Sequence, residues 1–144
     1  MLLNEFSDLE LTMIGLFCFE CFDYEKLKEE TNRLLGVDLD RAEKTQISKG
    51  KYIVQVDGKE NSVSVKELNK AVEKGCLTCP DFSAKYSDIS VGSVGSKEGY
   101  STVIVRSDVG EKLLEKLDLL KDKAEKKEIT KLAILKKKRA ESNK

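Results

Sequence analysis

The chain has 144 residues, 40% apolar and 36% charged, which fits one globular domain with a modest core and a well-solvated surface, or part of a larger one. Its 26 basic and 26 acidic residues cancel, and histidine is absent, which excludes imidazole general bases, Ser-His and Cys-His nucleophile pairs and every His-ligated metal site. The longest apolar run, residues 13–19, is far too short to span a bilayer, and the start of the chain lacks the pattern of a signal peptide, so a cytoplasmic protein is expected. No catalytic side chain is predicted; any chemistry falls to a bound cofactor.

Taken in order, residues 9–17 read as a mostly buried strand that delivers Cys18 at its end. Asp23 caps a helix in which Tyr24, Leu27, Thr31, Leu34 and Leu35 share a face, and Gly36 stops it. Strands at 51–56 and 62–65 flank Asp57-Gly58, a strong hairpin signal, with a loop that is allowed to be wider than two residues. A short helix over 66–74 is expected to end at Gly75, and another turn of helix to follow Pro80 over 81–87. Ile89 and Val91 mark a short strand, and 100–106 a β-branched one. Asp108 with Glu111 reads as a capping box for a helix striped by Leu113, Leu114, Leu117 and Leu120. A last helix over 128–138 aligns Ile129, Leu132 and Leu135. The mixed order predicts an α+β fold, a small mixed sheet with flanking helices.

Residues 121–144 carry ten Lys/Arg against four Asp/Glu, and read as a basic helical tail following a domain over 1–120. Its lysines are expected on a solvated outer face. No aromatic interleaving or nucleic-acid motif accompanies them, so no nucleic-acid partner is expected.

The four cysteines fall in two C-x-x-C pairs, Cys18/Cys21 and Cys76/Cys79. Four thiolates suit either structural zinc or an iron–sulfur cluster, because both select soft sulfur ligands; a zinc-stapled scaffold is the alternative to a redox centre. Downstream, Gly92, Ser93, Gly95 and Ser96 form a flexible, donor-rich loop suited to close approach of a phosphate, a flavin or another backbone.

Three groups of residues together resemble the C-terminal part of the beta subunits of coenzyme F420 hydrogenases and dehydrogenases. They are Ile14-Gly15-Leu16-Phe17-Cys18 with Phe22-Asp23-Tyr24-Glu25 and Leu27; Gly75-Cys76-x-x-Cys79-x-Asp81-Phe82; and Asp88-Ile89-Ser90-Val91-Gly92-Ser93-Val94-Gly95-Ser96, continuing through Gly99 and Ser101–Arg106 to Gly110. The resemblance spans residues 9–120. It implies the C-terminal part of a larger iron–sulfur flavoprotein that carries electrons between a partner hydrogenase or formate dehydrogenase catalytic subunit and F420, a deazaflavin hydride carrier. It implies a [4Fe–4S] cluster on Cys18, Cys76 and Cys79. Cys21 departs from the family pattern, in which many relatives have a polar residue; it is either the fourth ligand that a full-length protein draws from its other half, or incidental. It implies that Asp88, Gly92, Ser93, Gly95, Ser96, Gly99 and Thr102 belong to a flavin- or cluster-adjacent element, with FAD as the flavin. Family members are about twice this length, so the N-terminal half of the beta subunit is a further expected partner if that subunit is split.

Overall fold

The computed structural model describes residues 11–143. Contacts divide the chain into two compact units, one continuous (Glu20–Thr78) and one discontinuous (Met1–Phe19 with Cys79–Lys144).

The continuous unit is a three-stranded antiparallel sheet, β2 (Lys44–Ser48), β3 (Lys51–Val56) and β4 (Lys59–Ser64), in the order β2-β3-β4, packed with α1 (Tyr24–Leu35). Asp23 caps α1 by accepting a hydrogen bond from the Lys26 amide, and Gly36 ends it at φ 68°. Asp57 and Gly58 both take positive φ and Val56 pairs with Lys59, so this hairpin loop is two residues long and β4 starts earlier than expected. Lys49 and Gly50 repeat that geometry between β2 and β3, a hairpin with no sequence forewarning. Alternate residues of β3, Tyr52, Val54 and Val56, point inward with Leu39 and Leu68, and Phe22, Leu27, Leu34 and Val63 close around them. Each such buried side chain contributes about 1.5–3 kcal/mol.

The helix expected over 66–74 is a 3₁₀ helix, Val65–Ala71, and Gly75 does not end it. Val72 leaves helical geometry to pair with Phe22, and a separate short helix, α2 (Lys74–Thr78), contains both Gly75 and Cys76. The bridge to Phe22 outweighs local helix propensity.

The discontinuous unit is built on a mixed sheet, β1 (Ile14–Leu16), β5 (Ile89–Gly92) and β6 (Thr102–Val105), in the order β1-β5-β6, with β1 parallel and β6 antiparallel to β5. Residues 9 and 10 of the predicted first strand lie outside the described residues. What is described of that strand is an edge, with Ile14 59% and Leu16 71% exposed, rather than a mostly buried element. Its other face carries Gly15, where a side chain would collide with Ala84 and Ser87.

The stretch 81–87 forms turns instead of helix, held by the Asp81 carboxylate, which accepts from the Ser83 and Lys85 amides. The third helix, α3 (Asp108–Glu115), is capped one residue earlier than predicted, by Ser107, whose hydroxyl accepts from the Gly110 amide. It ends before Leu117 and Leu120, which are 51% and 88% exposed. The last helix, α4 (Lys126–Ser142), is longer than expected and turned: Leu135 is exposed, while Ile129, Ala133, Lys136 and Ala140 form the packed line. Among the described residues, no helix is long and apolar enough to cross a membrane.

Candidate functional site

Each C-x-x-C pair has one member in each unit. In the discontinuous unit, β1 runs through Phe17, whose amide donates to Val91 O (2.8 Å), into Cys18, whose amide donates to Phe82 O (2.9 Å). The Phe17 and Phe82 rings pack with centroids 5.4 Å apart. Phe82 thereby ties the Cys18 segment to the loop that begins at Cys79, whose thiol points at Asp81 O (3.8 Å).

Helix α4 braces the same segment from its inward face. The Lys136 ammonium, on a residue only 1% exposed, donates to Cys18 O at 2.6 Å. One turn on, Arg139 donates to Phe19 O at 2.8 Å and lies over the Phe19 ring. Lys136, a lysine expected on the solvated face, is therefore buried, and Arg139 beside it is half-buried. The available signal was the small-residue frame Ala133 and Ala140 around Lys136, one packed stripe of a helix in which lysine alone reads as solvent-facing.

In the continuous unit, residues 21–23 run alongside 71–73. Asp23 N donates to Ala71 O (2.8 Å) and Glu73 N to Cys21 O (2.9 Å). This pairing brings Cys21 to Cys76, and the Cys21 amide donates to the Cys76 sulfur at 3.2 Å. Backbone N–H groups aimed at sulfur stabilise negative charge there, whether on a thiolate or on a metal-bound sulfur. The donor chemistry, all sulfur and no imidazole, fits a soft centre such as iron–sulfur or zinc. Among the described residues, no three His, Cys, Asp or Glu side chains are gathered closely enough to hold a metal ion.

Of the seven residues expected near a flavin, most serve the chain itself. Asp88 accepts from the Met13 amide (2.8 Å) and the Ser107 hydroxyl (2.6 Å), and these bonds hold its carboxyl below the usual range. At Gly92 the space for a side chain is filled by the Phe17 ring; at Gly95, φ 87°, it is closed by Glu125 O and Ile129. Thr102 is buried and its hydroxyl donates to Val94 O (2.8 Å). Ser93 O accepts from the Ser96 hydroxyl (2.9 Å).

Gly99, at φ 83°, faces open space. With Ser96 and Thr102 it borders a cavity of about 720 Å3, whose other walls include Tyr100, Leu114 and residues 118–124. That volume suits a cofactor-sized ligand. The Lys97–Asp122 ion pair (2.6 Å) joins two of its lining segments, raising the lysine and lowering the aspartate pKa.

The family model for the C terminus of the coenzyme F420 hydrogenase/dehydrogenase beta subunit matches residues 2–134. Among curated relatives, the chain is 42% identical over 127 residues to a coenzyme F420-dependent sulfite reductase of Methanocaldococcus jannaschii, covering 88% of this chain and 20% of that protein. It is 39% identical over 106 residues to a coenzyme F420 hydrogenase subunit beta of Methanococcus voltae, covering 73% and 38%. A chain in the solved F420-reducing [NiFe] hydrogenase complex of Methanosarcina barkeri superposes with a TM-score of 0.79 at 31% identity, over 90% of this chain and 48% of that one. The chain thus spans less than half the length of each of these proteins.

Proposed function

The chain belongs to the family formed by the C-terminal regions of coenzyme F420 hydrogenase/dehydrogenase beta subunits, and from that membership we propose that it is an F420-linked electron-transfer subunit, or the C-terminal part of one. The observation that carries the reading is the match across residues 2–134, which takes in all four cysteines and the glycine loop, with relatives whose names specify F420. On this reading the catalytic subunit of a hydrogenase or formate dehydrogenase supplies or receives the electrons, and the N-terminal half found in longer relatives completes the molecule. We assign Cys18, Cys76 and Cys79 as ligands of an iron–sulfur cluster, with Cys21 as the fourth. When bound, a cluster handles single electrons and a flavin pairs them into the hydride that a deazaflavin takes up.

The chain's own residues hold and insulate. The Phe17–Phe82 pair shields the Cys18 segment, and the Cys21 amide supplies a charge-stabilising donor at the Cys76 sulfur. For the flavin, Ser96 and Gly99 border the cavity, whereas Asp88, Gly92 and Gly95 support the loop from behind. Loop residues of both kinds matter, but only the first kind would touch ligand.

Purification without oxygen tests the reading. Iron and acid-labile sulfide in whole-number ratio to protein, with a broad absorbance near about 400 nm from thiolate–iron charge transfer, are expected. A colourless chain holding one zinc per molecule, and no iron even after reconstitution with ferrous iron and sulfide, would replace it with the zinc-stapled scaffold. In the Cys21→Ser variant, loss of iron is expected; full retention would remove Cys21 from the ligand set.

A further inference from the structure

We propose that Lys136 and Arg139 are positioning residues for Cys18, a cationic brace that fixes the ligand-bearing segment and stabilises negative charge on it. The assignment of Cys18 as a ligand rests on the function proposed above; the brace itself rests on geometry. A lysine that is 1% exposed has given up nearly all its hydration, which is costly unless the ammonium meets strong acceptors. Among the described residues the acceptor it meets is Cys18 O, at 2.6 Å. Arg139 repeats the arrangement on the next carbonyl, Phe19 O, and adds the Phe19 ring.

The spacing explains the selection of both residues. Positions 136 and 139 lie on one side of α4, so one rigid helix addresses two successive carbonyls of an otherwise irregular segment. Those carbonyls are not engaged in the β1–β5 ladder, which ends at Leu16 and Val91. The segment is therefore held through the Cys18 amide, which donates to Phe82 O, and through the Cys18 and Phe19 carbonyls, which accept from the two cations. Covalent geometry keeps the Cys18 sulfur within roughly 5 Å of its own carbonyl oxygen, so the ammonium also sits within effective Coulomb range of any charge on that sulfur. A helix read from sequence as solvated surface becomes part of the environment of the cysteine.

The experiment uses the full chain in two states. In the metal-free protein, hydrogen–deuterium exchange is followed by mass spectrometry for wild type, Lys136→Met, Arg139→Gln and the charge-retaining Arg139→Lys. Lys136→Met is expected to speed exchange in residues 17–20 by about tenfold while leaving residues 102–105 unchanged, and Arg139→Gln by a smaller factor that Arg139→Lys restores. Equal acceleration of both segments would mean general loosening and would overturn the brace, as would no change in 17–20. If Lys136→Met does not fold, the Arg139 pair decides alone by the same comparison.

In the iron-loaded protein, each cluster takes one electron from a dithionite-poised mediator, and removal of either cation is expected to move the midpoint potential to a more negative value at unchanged iron content. An unmoved potential would overturn the charge-stabilising half. Failure of the wild type to load iron would instead remove the cluster proposal, and the metal-free exchange data would still judge the brace.

Discussion

The two units close themselves by different means. The continuous one gathers Leu39, Tyr52, Val54, Val56 and Leu68 into an apolar cluster. The discontinuous one uses side chains that reach for backbone: Asp88 to the Met13 amide, Arg106 to Ser83 O, Lys136 to Cys18 O, Thr102 to Val94 O. Its buried residues include Ser90, Thr102 and Lys136 beside the apolar Phe82, Ile89 and Ala140, while Ile14, Leu16 and Leu120 stay exposed. Apolar burial is non-directional and tolerates slippage; a side chain that must meet a particular carbonyl or amide does not. Stability is thus spent in one unit on holding a sheet together, and in the other on fixing where particular segments lie, among them the one that carries Cys18.

The largest effect expected from breaking this comparison comes from the apolar cluster. Leu68 is fully buried, and Leu68→Ala should cost about 3 kcal/mol through lost transfer energy and the cavity left behind. Urea denaturation followed by circular dichroism measures it. A loss below about 1 kcal/mol would mean that the cluster relaxes around the gap and does not carry the unit as argued.

The next concerns Gly92. A valine there meets the Phe17 ring, so Gly92→Val should destabilise by about 2 kcal/mol, in the range for overpacking. Adding Phe17→Ala should return part of that loss, a coupling that a double-mutant cycle measures. Additive losses would show that the glycine answers to something other than Phe17. The result sharpens the functional reading too, because it separates a glycine kept for packing from one kept for a ligand. Gly99 is the contrast, open on its side-chain face and bordering the cavity, although its φ of 83° strains any replacement.

Local chemistry made much of this legible in the sequence. Asp23 and Gly36 bracket α1 because a carboxylate accepts from the free amides of a first turn and glycine tolerates the left-handed exit. Asp57-Gly58 predicts its hairpin for the same conformational reason. The turn at Lys49-Gly50 escaped notice because lysine is not a residue that favours positive φ, and β2 because its five residues are all exposed and carry no alternation. Tertiary contacts decided the rest. Val72 leaves the helix for Phe22, β1 is an edge, and α4 turns Lys136 inward. For the candidate site, motif spacing located the cysteines, but which loop approaches which depends on the Phe82 and Cys21–Cys76 contacts, between residues more than fifty positions apart. The inward turn of Lys136 escaped notice because composition treats lysine as surface, and the frame of Ala133 and Ala140 around it is the one signal that pointed otherwise.

Asp88 gives the smallest and most specific effect. Its carboxyl is held below the ordinary value first by the Met13 amide and then by the Ser107 hydroxyl, so the folded state prefers the ionised form more than the unfolded chain does. The sign follows: the stabilisation is complete above the unfolded carboxylate value, about 3.9, and is lost as pH falls through the lower folded one. Asp88→Asn should therefore be less stable than wild type near neutrality, and the gap should narrow in acid. Melting temperatures across about pH 6 to pH 2 measure it, and exchange protection at Arg106, whose amide donates to Asp88 O, localises it. Parallel curves for the two proteins would mean that the carboxylate's charge contributes nothing and its shape alone joins β1 to the start of α3. A narrowing gap would show that this one ionised group supplies, by direction and charge, part of what the other unit obtains from leucines and valines.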